Sequence, residues 1–196
     1  MADQYCQSCG LAQAWCCCEL ITNEHTRLEF ALLLHENEPA RPTTTSKIIQ
    51  KVLPRTTSYI WQRKEPPQQL IERISAPETN AWLLFPADRE DLIPRSQAFR
   101  PTKEGQKPLI IVPDGTWKEV RKIIRKSPWL DHLPLLAFDP STPSRYDLRR
   151  NPDADHLCTA ETVAELLKLN GEEQQASSLN EALDLFIERY KASKLN

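Results

Sequence analysis

Glycine is scarce in this sequence: there are four glycines among 196 residues, against sixteen prolines. The chain contains neither the GxGxxG pattern of dinucleotide-binding Rossmann folds nor the GxxxxGKS/T pattern of P-loop nucleotide sites. These two glycine-dependent ways of holding phosphates are therefore excluded. The many prolines indicate a chain with numerous rigid turns.

Long apolar runs are also absent. The longest runs, such as ALLL and AWLLF, have about five residues, whereas a membrane-spanning helix needs roughly 20. The first ten residues, MADQYCQSCG, lack the basic segment and the apolar segment of a signal peptide. We therefore expect a cytoplasmic protein that has no membrane partner.

Charge is distributed unevenly along the chain. The formal net charge is −2, but the stretch from Asp153 to the end carries nine acidic and four basic side chains, which leaves +3 for the rest. Residues 88–126 hold ten basic and six acidic side chains. A stripe of this kind is typical either of a solvated face or of a surface that binds nucleic-acid phosphates. The candidates for phosphate contacts are Lys118, Arg121, Lys122, Arg125, Arg145, Arg149 and Arg150.

Five of the six cysteines lie between residues 6 and 18, in the pattern C-x2-C, six residues, then C-x-C. Such clustering in a cytosolic chain favours metal binding over disulfides. The predicted ligands of a closed four-thiolate structural zinc site are Cys6, Cys9, Cys16 and Cys18. Cys17 is a spare thiol or replaces a neighbour. Cys158 is predicted to be a packed side chain or a pocket wall rather than a nucleophile.

Short apolar segments alternate with amphipathic segments along the chain. The predicted strands are residues 27–34, 57–61, 81–85, 109–112 and 133–138. The predicted helices are residues 43–53, 66–74, 116–126, 159–170 and 178–191. Ser178 and Glu181 have the spacing of a capping box at the start of the last helix. This alternation indicates an α/β fold with a mostly parallel sheet.

Parallel sheets bind ligands beyond the carboxyl ends of their strands. Asp114 follows the buried strand at 109–112, within the segment IIVPDGTW. A carboxylate at this place either caps the helix that follows or takes part in chemistry. Trp117 either walls a pocket and stacks on a base, or packs in the core. His35 and His156 are assigned no role.

Four short motifs together resemble those of the DTW-domain family. They are LLFP at 83–86, DGTW at 114–117, SRY at 144–146 and LCTAET at 157–162, and the cysteine pattern accompanies them. The last segment differs from the family's Ser-Thr-x-Glu-Ala by carrying Cys158 and Thr162. After HENE, the family often has Asn-Thr-Gly-Arg where this chain has TTSK at 44–47. The resemblance covers the chain from Cys6 to about Leu167.

The resemblance implies a SPOUT-like α/β sheet with a trefoil knot. Bacterial members of the family look like tRNA-uridine aminocarboxypropyltransferases, which move the 3-amino-3-carboxypropyl group of S-adenosylmethionine to N3 of a tRNA uridine. The cysteine cluster indicates a small zinc-binding appendage at residues 1–20, with Zn²⁺ as structural metal, and leaves residues 21–196 as the catalytic domain. The resemblance also implies tRNA as the partner and S-adenosylmethionine as co-substrate. We expect a monomer rather than a homodimer.

The expected site combines the resemblance with the strand ends. Asp114 is the predicted general base, or alternatively the carboxylate that holds the sulfonium of the donor. The residues expected to bind S-adenosylmethionine are Leu84, Phe85, Pro86, Val112, Gly115, Thr116, Trp117, Leu157, Cys158, Thr159 and Glu161. Ser144 and Tyr146 join the arginines and lysines named above as candidates for RNA binding.

Two other functions are compatible with the same residues. A methyltransferase that uses S-adenosylmethionine to modify RNA needs the same pocket, because the outcome depends on which carbon of the donor faces the base. A zinc-bearing RNA-binding protein without catalytic activity needs Asp114 only as a helix cap. Bound S-adenosylmethionine distinguishes the two enzymes from the binding protein, and the mass added to tRNA distinguishes the enzymes from each other.

Overall fold

The computed structural model describes residues 4–98, 107–137, 144, 146–148 and 157–195. Five strands form one parallel sheet in the order β2-β1-β4-β3-β5. The strands are β1 (Glu29–His35), β2 (Thr56–Trp61), β3 (Thr79–Leu84), β4 (Lys107–Asp114) and β5 (Leu135–Leu136). The prediction of an α/β fold with a parallel sheet is confirmed.

Five α-helices occur in the same described residues. They are α1 (Ser46–Val52), α2 (Gln68–Ser75), α3 (Trp117–Arg125), α4 (Thr159–Leu169) and α5 (Glu173–Leu195). Within this part of the chain, no helix is both long and apolar enough to cross a membrane.

The chain divides into two compact units. The first, here called the sheet unit, comprises Arg27–Ala40 and Arg55–Asp139 and contains all five strands with α2 and α3. The second, here called the helical unit, comprises Met1–Thr26, Arg41–Pro54 and Pro140–Asn196 and contains α1, α4 and α5.

The core of the sheet unit lies between one face of the sheet and the helices α2 and α3. Alternate strand residues such as Leu33, Leu83 and Ile111 point into it, and Val120, Ile123 and Ile124 meet them from α3. The other strand residues, such as Leu32 and Val112, are buried as well. Burial on both faces explains why the central strands β1, β3 and β4 read as largely apolar runs, as is usual in parallel sheets.

Helices α4 and α5 form the framework of the helical unit, joined by a turn at Gly171. The φ of Gly171 is +73°, a left-handed conformation that glycine adopts without cost and that ends α4. Ala176, Leu179, Leu183 and Phe186 of α5 are fully buried, and α5 contacts both α4 and α1.

The predicted start of the last helix is wrong. Helix α5 begins at Glu173, so Ser178 lies within it and is not an N-cap. The Ser178 hydroxyl donates instead to Glu24 Oε1 at 2.8 Å, and Glu181 accepts from Ser177 at 3.0 Å. The S-x-x-E spacing did not predict the helix start, because serine and glutamate also form hydrogen bonds within a helix. There they bond to each other or to a neighbouring segment of the chain. The trefoil knot and the boundary at residue 20 stay predictions.

Candidate active site and metal centre

Asp114 is the last residue of β4 and is 1% exposed. It pairs in register with Leu34 of β1. Because side chains alternate along a strand, Asp114 shares a sheet face with Val112 and not with Ile111 of the α3-covered core. A buried carboxylate therefore stands at the carboxyl edge of a central strand, the edge at which parallel sheets hold ligands.

Thr116, not Asp114, caps α3. The Thr116 hydroxyl accepts a hydrogen bond from the Glu119 backbone N–H at 3.4 Å, and Glu119 Oε2 accepts from the Thr116 backbone N–H at 2.8 Å. This is a capping box, in which the two residues satisfy each other's exposed N–H groups. The alternative that Asp114 is simply the N-cap of this helix is therefore wrong.

Gly115, between these two residues, leaves little room for a side chain. A Cβ at this position would lie 3.1 Å from Glu119 Cβ and 3.4 Å from His35 Cβ. The turn from β4 into α3 thus packs directly against the end of β1 and the first turn of α3.

His35 and Glu119 support this turn, and sequence analysis assigned a role to neither. His35 ends β1 and is 2% exposed. Its Nδ1 lies 3.5 Å from Glu119 Oε1, and its ring centroid lies 5.4 Å from that of Trp61. The only signal in the sequence was the position of His35 at the end of a buried strand, because the fold alone brings it to Glu119.

Helix α3 exposes a basic stripe. Lys118, Arg121 and Arg125 are exposed and lie at i, i+3 and i+7, which places them on one side of a helix. Arg121 also donates to Asp88 Oδ2 at 2.8 Å. Lys122 differs from these three, because its ammonium lies 5.5 Å from the centroid of the Trp61 ring.

The cofactor candidates in the sheet unit are mostly buried. Leu84, Phe85 and Val112 are at most 5% exposed, and Pro86 is half-buried. Trp117 packs against the core, with its ring centroid 6.2 Å from that of Phe85. Core packing of Trp117 is thus present, and its stacking on a base stays a prediction.

Glu161 organises the start of α4 in the helical unit. Its Oε2 accepts from the Ser144 hydroxyl at 2.7 Å and from the Cys158 backbone N–H at 2.7 Å. Leu157 and Thr159 beside it are half-buried. The structure therefore brings Ser144, a predicted RNA contact, to Glu161, a predicted cofactor contact.

Tyr146 and Cys158 are both buried, at 4% exposure each. The Tyr146 hydroxyl donates to the Thr43 carbonyl oxygen. Burial raises the pKa of the Cys158 thiol, and the nearby Glu161 charge adds to this effect. Cys158 is therefore a packed, protonated thiol at neutral pH, and its contact with the cofactor stays a prediction. Three predicted RNA contacts lie outside the described residues: Arg145, Arg149 and Arg150.

Cys6, Cys9, Cys16 and Cys18 converge in the helical unit. Their Sγ atoms all lie within 4.8 Å of one another, with 3.7 Å between Cys6 and Cys18 and 3.9 Å between Cys9 and Cys16. Four sulfurs bound tetrahedrally at about 2.3 Å from one ion are about 3.8 Å apart. The four thiols thus have the geometry to hold a metal ion, which confirms that the predicted residues meet.

Cys17 does not belong to this group. It is fully buried, and burial, followed by the charge of Cys9, raises the pKa of its thiol to about 12. Burial also raises the pKa of Cys6, but hydrogen bonds from the backbone of Cys9 and Ser8 and from the thiols of Cys16 and Cys18 together lower it to about 6. The surroundings of Cys6 therefore favour a thiolate, which is the form that binds metals.

The sequence matches the DTW domain over residues 3–191, nearly its whole length. The chain belongs to the DTW-domain family. This is the family of the tRNA-uridine aminocarboxypropyltransferases, which agrees with a role in tRNA modification. No solved structure matches the chain.

The DTW signature can now be placed in the fold. It is the turn from β4 into α3, in which Asp114 is buried, Gly115 gives close packing, Thr116 caps the helix and Trp117 packs against Phe85. The predicted site residues divide between the units: this turn belongs to the sheet unit, whereas Leu157–Glu161 and the four metal-binding cysteines belong to the helical unit.

Proposed function

We propose that this DTW-domain protein transfers the 3-amino-3-carboxypropyl group of S-adenosylmethionine to N3 of a uridine in tRNA, with release of methylthioadenosine. Membership of the family and the burial of Asp114 at the carboxyl end of β4 support this proposal. Asp114 is the observation that carries it, because Thr116 already performs the capping that would otherwise explain a carboxylate there.

The reaction needs a proton acceptor at uridine N3, because only the deprotonated nitrogen is a good nucleophile. Asp114 accepts this proton as the general base. The nitrogen then forms a bond to the aminocarboxypropyl carbon, the carbon–sulfur bond breaks, and its electron pair stays on sulfur. S-adenosylmethionine supplies the transferred group and a sulfonium leaving group, which departs without an acid.

The basic stripe of α3 binds tRNA in this proposal. Lys118, Arg121 and Arg125 are exposed and lie on the helix that begins three residues after Asp114. Phosphate contacts from this helix would position the RNA backbone beside the turn that carries Asp114, the general base. Phosphate contacts carry no information about the RNA sequence. The choice of one uridine within tRNA must therefore depend on other contacts.

The metal in this proposal is zinc with a structural role. Cys6, Cys9, Cys16 and Cys18 give four sulfur ligands, and a closed four-thiolate site is the usual form of structural zinc. These four residues lie within a stretch of thirteen residues, which is too short to form a hydrophobic core of its own. Metal binding therefore contributes directly to the stability of the N-terminal segment.

The co-products of the reaction test the proposal. Purified protein is incubated with S-adenosylmethionine and unmodified tRNA, and the nucleoside products are separated by liquid chromatography. We expect methylthioadenosine to form only when tRNA is present. Formation of S-adenosylhomocysteine instead would indicate a methyltransferase, and absence of both would indicate an RNA-binding protein without this activity.

A further inference from the structure

Lys47 lies against the metal-binding segment, in a position to which no role has been assigned. It is the second residue of α1, between the buried residues Ser46 and Ile48. A Cβ placed on Gly10 would be 3.2 Å from the Lys47 Nζ and 3.5 Å from its Cδ. The lysine stem and its ammonium therefore run across the backbone immediately after Cys9.

Gly10 makes this approach possible. Its φ of +80° is a left-handed conformation that favours glycine, and its N–H donates to the Cys6 carbonyl oxygen at 2.8 Å. This bond closes the turn that carries Cys6 and Cys9. Any larger residue at position 10 would displace Lys47 as well as strain the turn.

Lys47 is also held firmly. Ile48 and Ile49, which follow it on α1, are fully buried. The Glu24 backbone N–H donates to the Val52 carbonyl oxygen at 2.7 Å, which ties the end of α1 to the segment that follows the cysteines. The lysine therefore projects from a helix that is anchored in the helical unit.

The ammonium of Lys47 forms no ion pair with a carboxylate of the described residues. In the part of the chain that the structure describes, no carboxylate oxygen lies within 4.0 Å of its ammonium. A zinc ion bound by four thiolates has a net charge of about −2 and is stabilised by nearby cations and N–H donors. The Lys47 ammonium, at the glycine that follows Cys9, supplies such a charge.

We infer that Lys47 is a positioning residue of the metal centre, whose ammonium offsets the negative charge of the zinc-bound thiolates and strengthens zinc binding. The inference rests on the zinc centre proposed above. It gives Lys47 a role that the cysteine pattern alone does not reveal, because α1 follows the last of these cysteines by more than two dozen residues.

Competition for zinc against a chromophoric chelator tests this inference. Lys47→Met removes the charge and keeps the length of the side chain, Lys47→Arg keeps the charge, and Lys47→Gln serves as a second neutral variant should Lys47→Met fail to fold. Lys51→Met is the matched control, because Lys51 lies one turn further along α1 and is also half-buried.

We expect the neutral variants to bind zinc on the order of tenfold more weakly than the wild type, in the range of changes next to metal ligands. Lys47→Arg and Lys51→Met should stay close to the wild type. Equal affinity of the wild type and the neutral variants would overturn the inference alone. So would an equal loss in Lys47→Arg or Lys51→Met, which would indicate a general packing effect. A wild-type protein that holds no zinc would overturn the metal centre itself.

Discussion

Asp114 and Thr116 are two residues apart and have different surroundings. Asp114 is 1% exposed at the end of a strand, whereas Thr116 is exposed and bonded to Glu119. Both residue types are common N-caps, so the sequence did not decide which of the two caps α3. The structure assigns capping to Thr116, and chemistry becomes the better explanation for the buried carboxylate.

We predict that Asp114→Asn retains the fold and tRNA binding but loses turnover by about 10²–10⁴-fold at saturating S-adenosylmethionine. The amide has nearly the shape of the carboxylate but does not accept the proton of uridine N3. Initial rates of methylthioadenosine release measure the loss, and thermal melting checks the fold.

The control for this variant is Asp131→Asn, which changes a carboxylate of the sheet unit whose side chain is 66% exposed. It should have wild-type turnover. If Asp114→Asn recovers most of its rate when the donor is saturating, Asp114 holds the sulfonium and is not the base. Wild-type turnover of Asp114→Asn would contradict both roles.

Secondary-structure elements show where local patterns succeed and fail. The central strands β1, β3 and β4 were identified as apolar runs, because both faces of a parallel sheet are buried there. The edge strand β2 is partly exposed, and its threonine, tyrosine and isoleucine residues are typical of a strand. The capping pattern failed at Ser178, because a short motif does not show whether a helix has already begun. His35 was missed because its neighbours Glu119 and Trp61 are distant in sequence.

The capping box of α3 gives a prediction at this scale. Thr116→Ala removes the hydroxyl that accepts from the Glu119 N–H, so it should lower the free energy of unfolding by about 1 kcal/mol. Thr116→Ser keeps the hydroxyl and should retain most of the stability. Urea denaturation measures both variants. Equal stability of Thr116→Ala and the wild type would show that this cap contributes little to folding.

The exposed basic stripe of α3 gives a second prediction at the scale of the element. Lys118→Glu combined with Arg125→Glu should weaken tRNA binding and flatten its salt dependence by about one unit of slope per lost phosphate contact. We choose these two because Arg121 also pairs with Asp88 and Lys122 lies over Trp61. Filter binding across a range of salt concentrations measures the effect.

The control for the stripe is Lys51→Glu combined with Lys194→Glu, which reverses two charges in the helical unit. This variant has the same net charge as the stripe variant, so it separates local contacts from the overall charge. If the two variants lose equal affinity for tRNA, the stripe is a solvated face and not a binding surface.

The whole molecule is organised in a way that no local pattern predicts. The cysteine-containing segment groups with α1, α4 and α5 in one unit, although α4 and α5 lie at the other end of the sequence. Gln175 of α5 donates to the His25 carbonyl oxygen at 2.8 Å, and Ser178 donates to Glu24. Such contacts depend on the path of the chain in space, which composition and periodicity do not encode.

Removal of the metal should therefore destabilise the helical unit and not only the segment that contains the cysteines. We expect protein purified without chelator to hold about one zinc per chain, the capacity of one four-thiolate site. Chelation should lower its melting temperature by at least several degrees, because a ligand that binds only the folded state stabilises that state. Elemental analysis and calorimetry measure the two quantities. Well under one zinc per chain, or an unchanged melting temperature, would contradict the metal centre.

The most direct test of the account as a whole is mass spectrometry of nucleosides from tRNA treated with this protein and S-adenosylmethionine. We predict a uridine heavier by one aminocarboxypropyl group, formed by the wild type and nearly absent with Asp114→Asn. A uridine heavier by one methyl group, or tRNA with no added mass, would contradict the transfer reaction proposed for this member of the DTW-domain family.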